Sequence, residues 1–506
     1  GLHRYDHLLD DTSPASIERQ KQFYRDFRDR LKRVTGVSAE DRADYQILEG
    51  QITLALLELE QIQGYKHNPT QYVELIGNAL FSLYVLDYAP LPQRMASITS
   101  RVAAIPAFLT QARQNLVSSP AIWTQVAQEE NAGNIQLIDK TIRAAVPAGQ
   151  HNAYDRAAAP ALQALNEFQE YLRGDLTRRN SWDWRLGRDL YTRKFRAVMD
   201  IADGPDELLA KAEAELPKVR ARMLALGTEG MAERVAGRHS TRESYVADAR
   251  ADLDEARRFV QEQHLLTLPP RANLQVIETP EFMRGVYAVG GFNPAPPLEP
   301  RLGAFYWITP IPADWPAARV ESKLREYNFY KLKLLTIHEA MPGHYVQLEY
   351  ANDVQPESRR LLRSLYGNGP YIEGWGQYAE QLLIDSGFLD HAPELQFTFL
   401  KEELRVLANA ILDIRLQMHG MTDQEALDLM QKQTFQEAEE ATAKLQRAKL
   451  TSAQLPTYYA GWRAWLEIRE RARAAQGSAF RLADFNDRAL REGSVPLSTL
   501  AGLLGL

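Results

Sequence analysis

Apolar side chains recur at helical spacing through the first half of the chain. From residue 16 to about residue 260 they follow a period of three to four residues, as at Phe23, Phe27 and Leu31. This period is typical of amphipathic helices that bury one face, and it predicts ordinary helix packing. We expect helices from about residue 16, over 39–63, and near 92–117, 120–146, 156–174, 184–201, 205–227 and 240–262.

The pattern changes at residues 266–316, which hold ten of the 26 prolines of the chain. Short runs of β-type sequence lie at 274–279, 285–289 and 304–309. They predict a small sheet with long loops. The strand that contains Tyr306 could be an exposed edge that pairs with an extended peptide substrate, or it could belong to an internal hairpin.

Helical spacing resumes near residue 321. We therefore predict a mainly α fold, with a large helical body, a deep active-site cleft and a small β-sheet inserted near residues 270–310. The chain divides into an N-terminal helical part (1–265), a β/loop insertion (266–316) and a C-terminal helical part (317–506) that carries the candidate site. We expect the three to form one continuous body around the cleft. The later helices are expected at about 356–366, 371–385, 394–418, 423–450 and 457–474.

The most informative stretch is residues 334–344, where two histidines and a glutamate end an apolar run, LLTIHEAMPGH. Two imidazoles can hold a divalent metal, and a glutamate beside them can take a proton from water, as in metallohydrolases. In the familiar H-E-x-x-H form, the histidines lie about 40° apart around the helix axis. Here His338 and His344 are six residues apart. An ideal helix would separate them by about 120°, too far to share one ion.

The residues between the histidines indicate that the helix is not continuous here. Pro342 has no amide hydrogen and clashes with the carbonyl four residues back, whereas Gly343 accepts dihedral angles that other residues cannot. We therefore predict that the helix is interrupted at residues 341–343 and restarts near His344. The second imidazole then returns towards the first, and Glu339 lies beside both.

A zinc enzyme usually uses three protein ligands, and the downstream helix offers two glutamates. Glu373 follows His344 by 29 residues and lies in the first turn of that helix, near glycines that permit close backbone approach. Glu380 lies two turns further on the same face, where Gln377 could also lie. Either could hold the far nitrogen of a ligand imidazole. The reverse assignment, with Glu380 as the ligand and Glu373 as its support, stays open.

The amino-acid composition narrows the possible classes of protein and of metal site. The 506 residues carry a net charge of -7 with a pI near 5.9, which argues against a nucleic-acid partner. No apolar run approaches the ~20 residues of a transmembrane helix. Because there are no cysteines, a metal site must use histidines and carboxylates. The lack of cysteines suits an oxidising compartment, which favours a periplasmic or other extracytoplasmic location over a cytoplasmic one. The oligomeric state stays open.

Two motifs carry a resemblance to a known family. Residues 338–344 (HEAMPGH) and 373–380 (EGWGQYAE) resemble the DUF885 family of bacterial proteins, with its H-E-A-x-P-G-H and E-G-W-x-x-Y-x-E motifs. That family in turn resembles the gluzincin zinc peptidases of the angiotensin-converting-enzyme and carboxypeptidase-Taq types. The resemblance implies a helical body with a deep cleft and one zinc ion per chain at its floor. Carried over, it makes His338, His344 and Glu373 the ligands and Glu339 the general base.

A downstream stretch, residues 454–461, is similar to a family segment with a tyrosine three residues before a glycine. The similarity implies that Tyr458 donates its phenol proton to the tetrahedral oxyanion, with Tyr459 as the second choice. A positioned O–H group beside a Lewis acid stabilises developing negative charge. Alternatively, the two tyrosines form an aromatic packing pair.

Residues 412–417 are similar to another family segment, in which position 417 is often histidine. This chain has Gln417, which leaves that position without a catalytic assignment. Arg415 could hold a substrate carboxylate through two hydrogen bonds, which would make the enzyme an exopeptidase. Alternatively, Asp413 and Arg415 form a structural network.

The favoured function is that of a zinc metallopeptidase that hydrolyses short peptides, with Glu339 as the general base. A second hypothesis keeps the chemistry but takes a non-peptide amide or a modified amino acid as substrate. A third makes the protein a non-catalytic helical binding protein. The intact Glu339 argues against the third, because a structural metal site needs no base.

Overall fold

Helices form most of the part of the chain that the computed structural model describes, namely residues 1–227, 230–284, 287 and 289–506. The predicted mainly α fold with a small sheet is confirmed. The helices before the sheet are α1 (Pro14–Leu31), α2 (Ala39–Leu57), α3 (Gly64–His67), α4 (Thr70–Val85), α5 (Leu91–Asn115), α6 (Ala121–Gln136), α7 (Arg143–Ala145), α8 (His151–Tyr171), α9 (Gly187–Met199), α10 (Pro205–Leu226), α11 (Met231–Gly237) and α12 (Tyr245–Glu262).

Helices after the sheet carry the motif residues, and two of those helices begin at a side-chain cap. At one start, Asn328 accepts hydrogen bonds from the amides of Tyr330 and Lys331, and at another Asn368 accepts one from Tyr371. Such caps set where a helix begins. These helices are α13 (Ala317–Glu326), α14 (Phe329–Glu339), α15 (His344–Ala351), α16 (Glu357–Leu365), α17 (Gly369–Asp385), α18 (Pro393–Met418), α19 (Asp423–Asp428), α20 (Ala438–Leu450), α21 (Pro456–Gln476), α22 (Leu482–Arg491) and α23 (Leu497–Leu503).

The sheet has three strands, β1 (Leu274–Glu278), β2 (Gly290–Asn293) and β3 (Ala304–Ile308), in the order β1-β3-β2. Strand β3 runs parallel to β1 and antiparallel to β2. It is therefore the central strand, and all five of its residues are buried. Of the two alternatives for this strand, the exposed edge is wrong, because β1 and β2 already pair with both of its edges.

The other strand predictions differ in outcome. The run at 274–279 corresponds to β1. The run at 285–289 lies largely outside the described residues, since 285, 286 and 288 are among those not described. Tyr306, expected to contact substrate at the edge, is wholly buried, and its hydroxyl lies 3.1 Å from that of Thr336 on α14. This contact joins the sheet to the helix that ends in the first motif.

The apolar faces of the helices bury two large cores. One is built mainly from α4, α5, α6 and α8, and the larger one from the sheet and most of the helices after α8. A cavity of about 850 Å³ is lined by residues of α4, α6, α13, α14, α15, α17, α18, α20 and α21. No helix in the described ranges is long and apolar enough to cross a bilayer.

A buried carboxyl on α6 predicts a pH dependence of stability. Glu130 is 5% exposed, and among the described residues none hydrogen-bonds to either of its carboxyl oxygens. Burial, followed by the charges of Glu74 and Glu129, raises the pKa of Glu130 from 4.5 to about 9. The folded state thus keeps a proton that the unfolded state releases. This contribution to stability is complete below about pH 4.5 and is lost as the pH rises to about 9.

Replacing Glu130 with glutamine, which cannot ionise, is therefore expected to flatten the fall in melting temperature between pH 5 and pH 9. The melting temperatures of both proteins can be followed by circular dichroism across this range, with a chelator present so that metal binding does not contribute. Identical pH profiles for the two proteins would show that Glu130 is not the group responsible.

Candidate metal centre

The helix break predicted in the first motif is confirmed. Helix α14 ends at Glu339 and α15 begins at His344. The amide of Gly343 donates to the carbonyl of Ile337 at 2.9 Å, and a Cβ atom at position 343 would overlap the carbonyl oxygens of Ile337 and His338. Only glycine fits this close approach. As a result the two imidazoles lie together, with ring centroids 4.6 Å apart and an angle of 84° between the ring planes.

Helix α17 brings a carboxylate to this pair of imidazoles. Oε2 of Glu373 lies 3.5 Å from Nε2 of His338 and 3.5 Å from Nε2 of His344. The three donor atoms lie within 4.8 Å of one another and could hold a metal ion. Gly376 makes the approach possible, because a Cβ atom there would collide with the His338 ring.

The environment of Glu373 suits a bound cation. Its Oε2 atom is buried and makes no well-formed hydrogen bond among the described residues, although both imidazole Nε2 atoms lie 3.5 Å from it. A buried carboxylate oxygen without a hydrogen bond is costly, and a bound cation would remove that cost. Two imidazoles and one carboxylate are the ligands that zinc takes in catalytic sites, where one position stays open. The donor set therefore fits a zinc ion held by one oxygen and two nitrogens.

The far side of the His338 ring is held by Glu380. Its Oε1 atom lies 2.9 Å from Nδ1 of His338, and Gln377 donates to the same oxygen at 3.1 Å. With the proton on Nδ1, the lone pair of Nε2 points towards Glu373 and His344. The two glutamates of the second motif thus occupy opposite sides of one imidazole, with Glu373 on the side of the candidate ligands.

The charges of these groups depend on one another. Burial lowers the pKa of His338, but the contacts with Glu373 and Glu380 outweigh it and raise the pKa to about 10. Burial raises the pKa of Glu373, and contacts with both imidazoles outweigh it, so the pKa lies well below its usual range. A cation that binds here displaces a proton from His338.

Tyr458 reaches the same place from α21. Its ring is stacked near the His338 ring, with centroids 6.1 Å apart and an angle of 23° between the planes. Burial, followed by the charge of Glu373, raises the pKa of Tyr458 to about 12, so its hydroxyl keeps its proton at neutral pH. Tyr459 is buried in the core instead, with its hydroxyl 3.2 Å from Arg463.

Two glycines bring α17 and α21 together at this point. A Cβ atom on Gly374 would collide with the backbone of Gly461, and one on Gly461 would collide with the backbones of Pro370 and Gly374. Since Glu373 precedes one glycine and Tyr458 lies one turn before the other, the crossing places both side chains at the cavity.

The segment before α21 is anchored by α18. Asp413 is fully buried and accepts hydrogen bonds from the amides of Ala453 (3.1 Å) and Leu455 (3.3 Å). Gln417 accepts one from the amide of Leu186 at 2.8 Å. Both side chains therefore hold the backbone in place.

Arg415 does not reach the candidate site. It pairs with Glu213 at 2.5 Å, and its side chain is 45% exposed. The expected carboxylate clamp at Arg415 is not supported, because the inward face of this part of α18 carries Asp413 instead.

Several cavity residues were not predicted from the sequence. Arg447 donates to the hydroxyl of Tyr458 at 3.4 Å and to Gln454 at 3.2 Å. Gln454 in turn donates to Oε1 of Glu373 at 3.4 Å. Lys444 and Tyr287 also line the cavity. One feature of the sequence could have pointed to the residues of α20. Charged residues recur at helical spacing on a face that is otherwise apolar, which is unusual for a helix that packs into a core.

The match to the DUF885 family model, described as "Bacterial protein of unknown function", covers residues 1–504. The chain therefore belongs to the DUF885 family. It is similar to a "putative lipoprotein of unknown function" from Shewanella oneidensis, with 26% identity, a TM-score of 0.79 and coverage of 100% of this chain and 95% of that one. No match was found among curated proteins.

A second solved structure, a "putative lipoprotein" from Colwellia psychrerythraea, has 17% identity, a TM-score of 0.79 and coverage of 99% of this chain and 92% of that one. At this identity the likeness concerns the fold alone. The fold thus extends over whole chains of comparable length.

Proposed function

We propose that the protein is a zinc metallopeptidase that hydrolyses short peptides, with His338, His344 and Glu373 as the metal ligands. The observation that carries this proposal is the position of Glu339. Glu339 follows His338 in the chain and lines the same cavity as the candidate ligands, and no hydrogen bond or ion pair holds its carboxylate within the described ranges. A structural metal site has no use for such a group, whereas a hydrolase needs a base.

The motif resemblance to gluzincin peptidases supports the same assignment. A zinc ion bound by the three ligands would polarise the amide carbonyl and lower the pKa of water. The cavity of about 850 Å³ has room for a short peptide beside the ligands.

The protein's own groups would then move the protons. Glu339 accepts a proton from the attacking water and passes it to the leaving amine. Tyr458, protonated at neutral pH because of its raised pKa, donates a hydrogen bond to the oxyanion that develops on the former carbonyl. Arg447, in contact with the Tyr458 hydroxyl, orients that group.

This proposal can be tested by mass spectrometry of the products from a mixture of short peptides. The zinc-loaded protein is compared with protein stripped by a chelator and with stripped protein to which zinc has been restored. We expect cleavage by the first and third samples only. Intact peptides in all three samples, with zinc bound, would overturn the peptidase assignment and favour a non-peptide amide as substrate.

The position of Glu380 predicts a separate effect on metal affinity. Replacing Glu380 with glutamine removes the carboxylate that holds Nδ1 of His338, which makes the imidazole less basic and less well oriented. We expect zinc affinity to fall about 10- to 100-fold, as measured by competition with a fluorescent chelator. Asp385→Asn, an exposed acid-to-amide change on the same helix, is the control. Equal affinities of the Glu380→Gln and control proteins would contradict the assignment.

A further inference from the structure

The inner face of α20 carries charged side chains into the cavity. Glu440, Lys444 and Arg447 follow one another at positions i, i+4 and i+7, and all three line the cavity. Residues at this spacing lie on one face of a helix. Charged groups on a buried face need partners, and these partners can be identified one by one.

The carboxylates near this face are already bound. Glu440 accepts hydrogen bonds from Arg405 (2.5 Å) and from the hydroxyl of Tyr327 (2.9 Å). Glu402 pairs with Arg405 at 3.3 Å and also with Lys331. Both acids therefore have their counter-charges without Lys444 or Arg447.

Lys444 and Arg447 have no carboxylate partner within ion-pair distance among the residues that the structure describes. The Lys444 residue is only 6% exposed. Burial, followed by the charges of Arg405 and Arg447, holds the pKa of Lys444 well below its usual range. A buried amine in this position lacks the anion that would stabilise its charged form.

A purely structural role explains one of the two residues. Arg447 contacts Tyr458 and Gln454, and the charge of Glu373 acts on it, so it can support the metal centre. The charges that act on Lys444 are those of Arg405, Arg447, Glu440 and Glu402. Lys444 makes no hydrogen bond or ion pair among the described residues, so a structural role of this kind does not account for it.

We infer that Lys444, with Arg447 beside it, forms a subsite for a carboxylate of the substrate. The inference rests on the proposed function and names its substrate class, which is peptides with a negative charge close to the scissile amide. The hydrogen bond from Arg447 to Tyr458 and the shared cavity place the subsite beside the candidate centre. The carboxylate is either the free C-terminus of the peptide or an acidic side chain.

The test measures binding rather than turnover. Zinc-loaded Glu339→Gln protein, with and without a second change Lys444→Met, is titrated calorimetrically with trialanine, trialanine amide and alanyl-alanyl-glutamate amide. Methionine keeps the length of the lysine side chain but has no charge. We expect trialanine to bind about 10- to 100-fold more tightly than its amide, and Lys444→Met to remove that difference. Tight binding of the glutamate amide would identify a side-chain carboxylate as the ligand.

Two controls separate this inference from a folding defect. Lys449→Met changes another lysine of the same helix, which pairs with Asp423 at 2.6 Å, and it should leave all three affinities unchanged. Because Lys444 is buried without a partner, Lys444→Met should not lower the melting temperature.

The outcomes also separate the subsite from the proposed function. Equal binding of all three peptides, equal weakening of all three by Lys444→Met, or no binding of any of them would overturn the subsite. Binding that depends on Lys444, combined with no cleavage of any peptide by the wild-type protein, would support the subsite and overturn the peptidase assignment alone.

Discussion

Replacing Glu339 with glutamine is expected to lower kcat for peptide hydrolysis by about 10²- to 10⁴-fold, the usual contribution of a general base. Glutamine has nearly the same shape as glutamate but cannot accept the proton of the attacking water. Since Glu339 lies beside the ligands and is not one of the three converging donors, zinc should stay bound. The rates are compared at saturating peptide, with the zinc content of both proteins determined by elemental analysis.

Glu339→Asp provides a matched comparison, because it keeps the carboxylate but draws it back by one methylene group. We expect an activity between those of the wild-type and Glu339→Gln proteins. A Glu339→Gln protein that retains more than a tenth of the wild-type kcat, with equal zinc content, would exclude Glu339 as the base.

Zinc is expected to raise the melting temperature of the wild-type protein, and Glu373→Gln is expected to remove most of this effect. A ligand that binds only the folded state stabilises it by about 2.7 kcal/mol when its free concentration is about 100 times Kd. The buried Oε2 atom of Glu373 lies 3.5 Å from Nε2 of each histidine and would become a ligand of the ion. Melting curves with increasing zinc measure the effect.

The control for this experiment is His419→Asn. The His419 imidazole pairs with Asp206 at the surface, at 3.1 Å, far along the chain from the motifs. Its replacement should leave the zinc-dependent increase unchanged. An equal increase in the Glu373→Gln and wild-type proteins would show that zinc binds at another place.

The helical pattern could be predicted where apolar spacing is regular. The predictions for 394–418 and 205–227 agree closely with α18 and α10. Helix α4 was not predicted. Thr70–Val85 contains aromatic and β-branched residues and a glycine, which have low helix propensity. The helix is stabilised instead by the packing of its apolar side chains in the first core. The single helix expected over 423–450 is interrupted, since Phe435 has a φ of 58°.

The interruption near Phe435 had no local signal, because the segment contains neither glycine nor proline. It is held by hydrogen bonds to the backbone of the preceding turn. The amide of Gln436 donates to the carbonyl of Met430 at 2.9 Å, and the hydroxyl of Thr434 donates to the same carbonyl at 2.9 Å. The order of the strands could not be predicted from the sequence either. A β-type run such as 304–309 is compatible with an edge strand and with a central strand.

The sequence predicted which side chains come together at the candidate site when those residues belong to short motifs. The break at Pro342 and Gly343 follows from backbone sterics, and the distance between Glu373 and Glu380 along one helix allowed both to reach one imidazole. The cations of the cavity could not be predicted in this way. Which basic residues of α18 and α20 turn inward depends on how the helices pack. Helix α18 turns Arg405 towards the cavity and Arg415 away from it, and α20 presents Lys444.

The central claim is that His338, His344 and Glu373 bind one metal ion. A crystal structure of the zinc-loaded protein, with anomalous data collected on both sides of the zinc absorption edge, tests it most directly. We predict one anomalous peak at about 2.0–2.2 Å from Nε2 of both histidines and from a carboxylate oxygen of Glu373. The absence of a peak there, or a peak held by other side chains, would contradict the assignment.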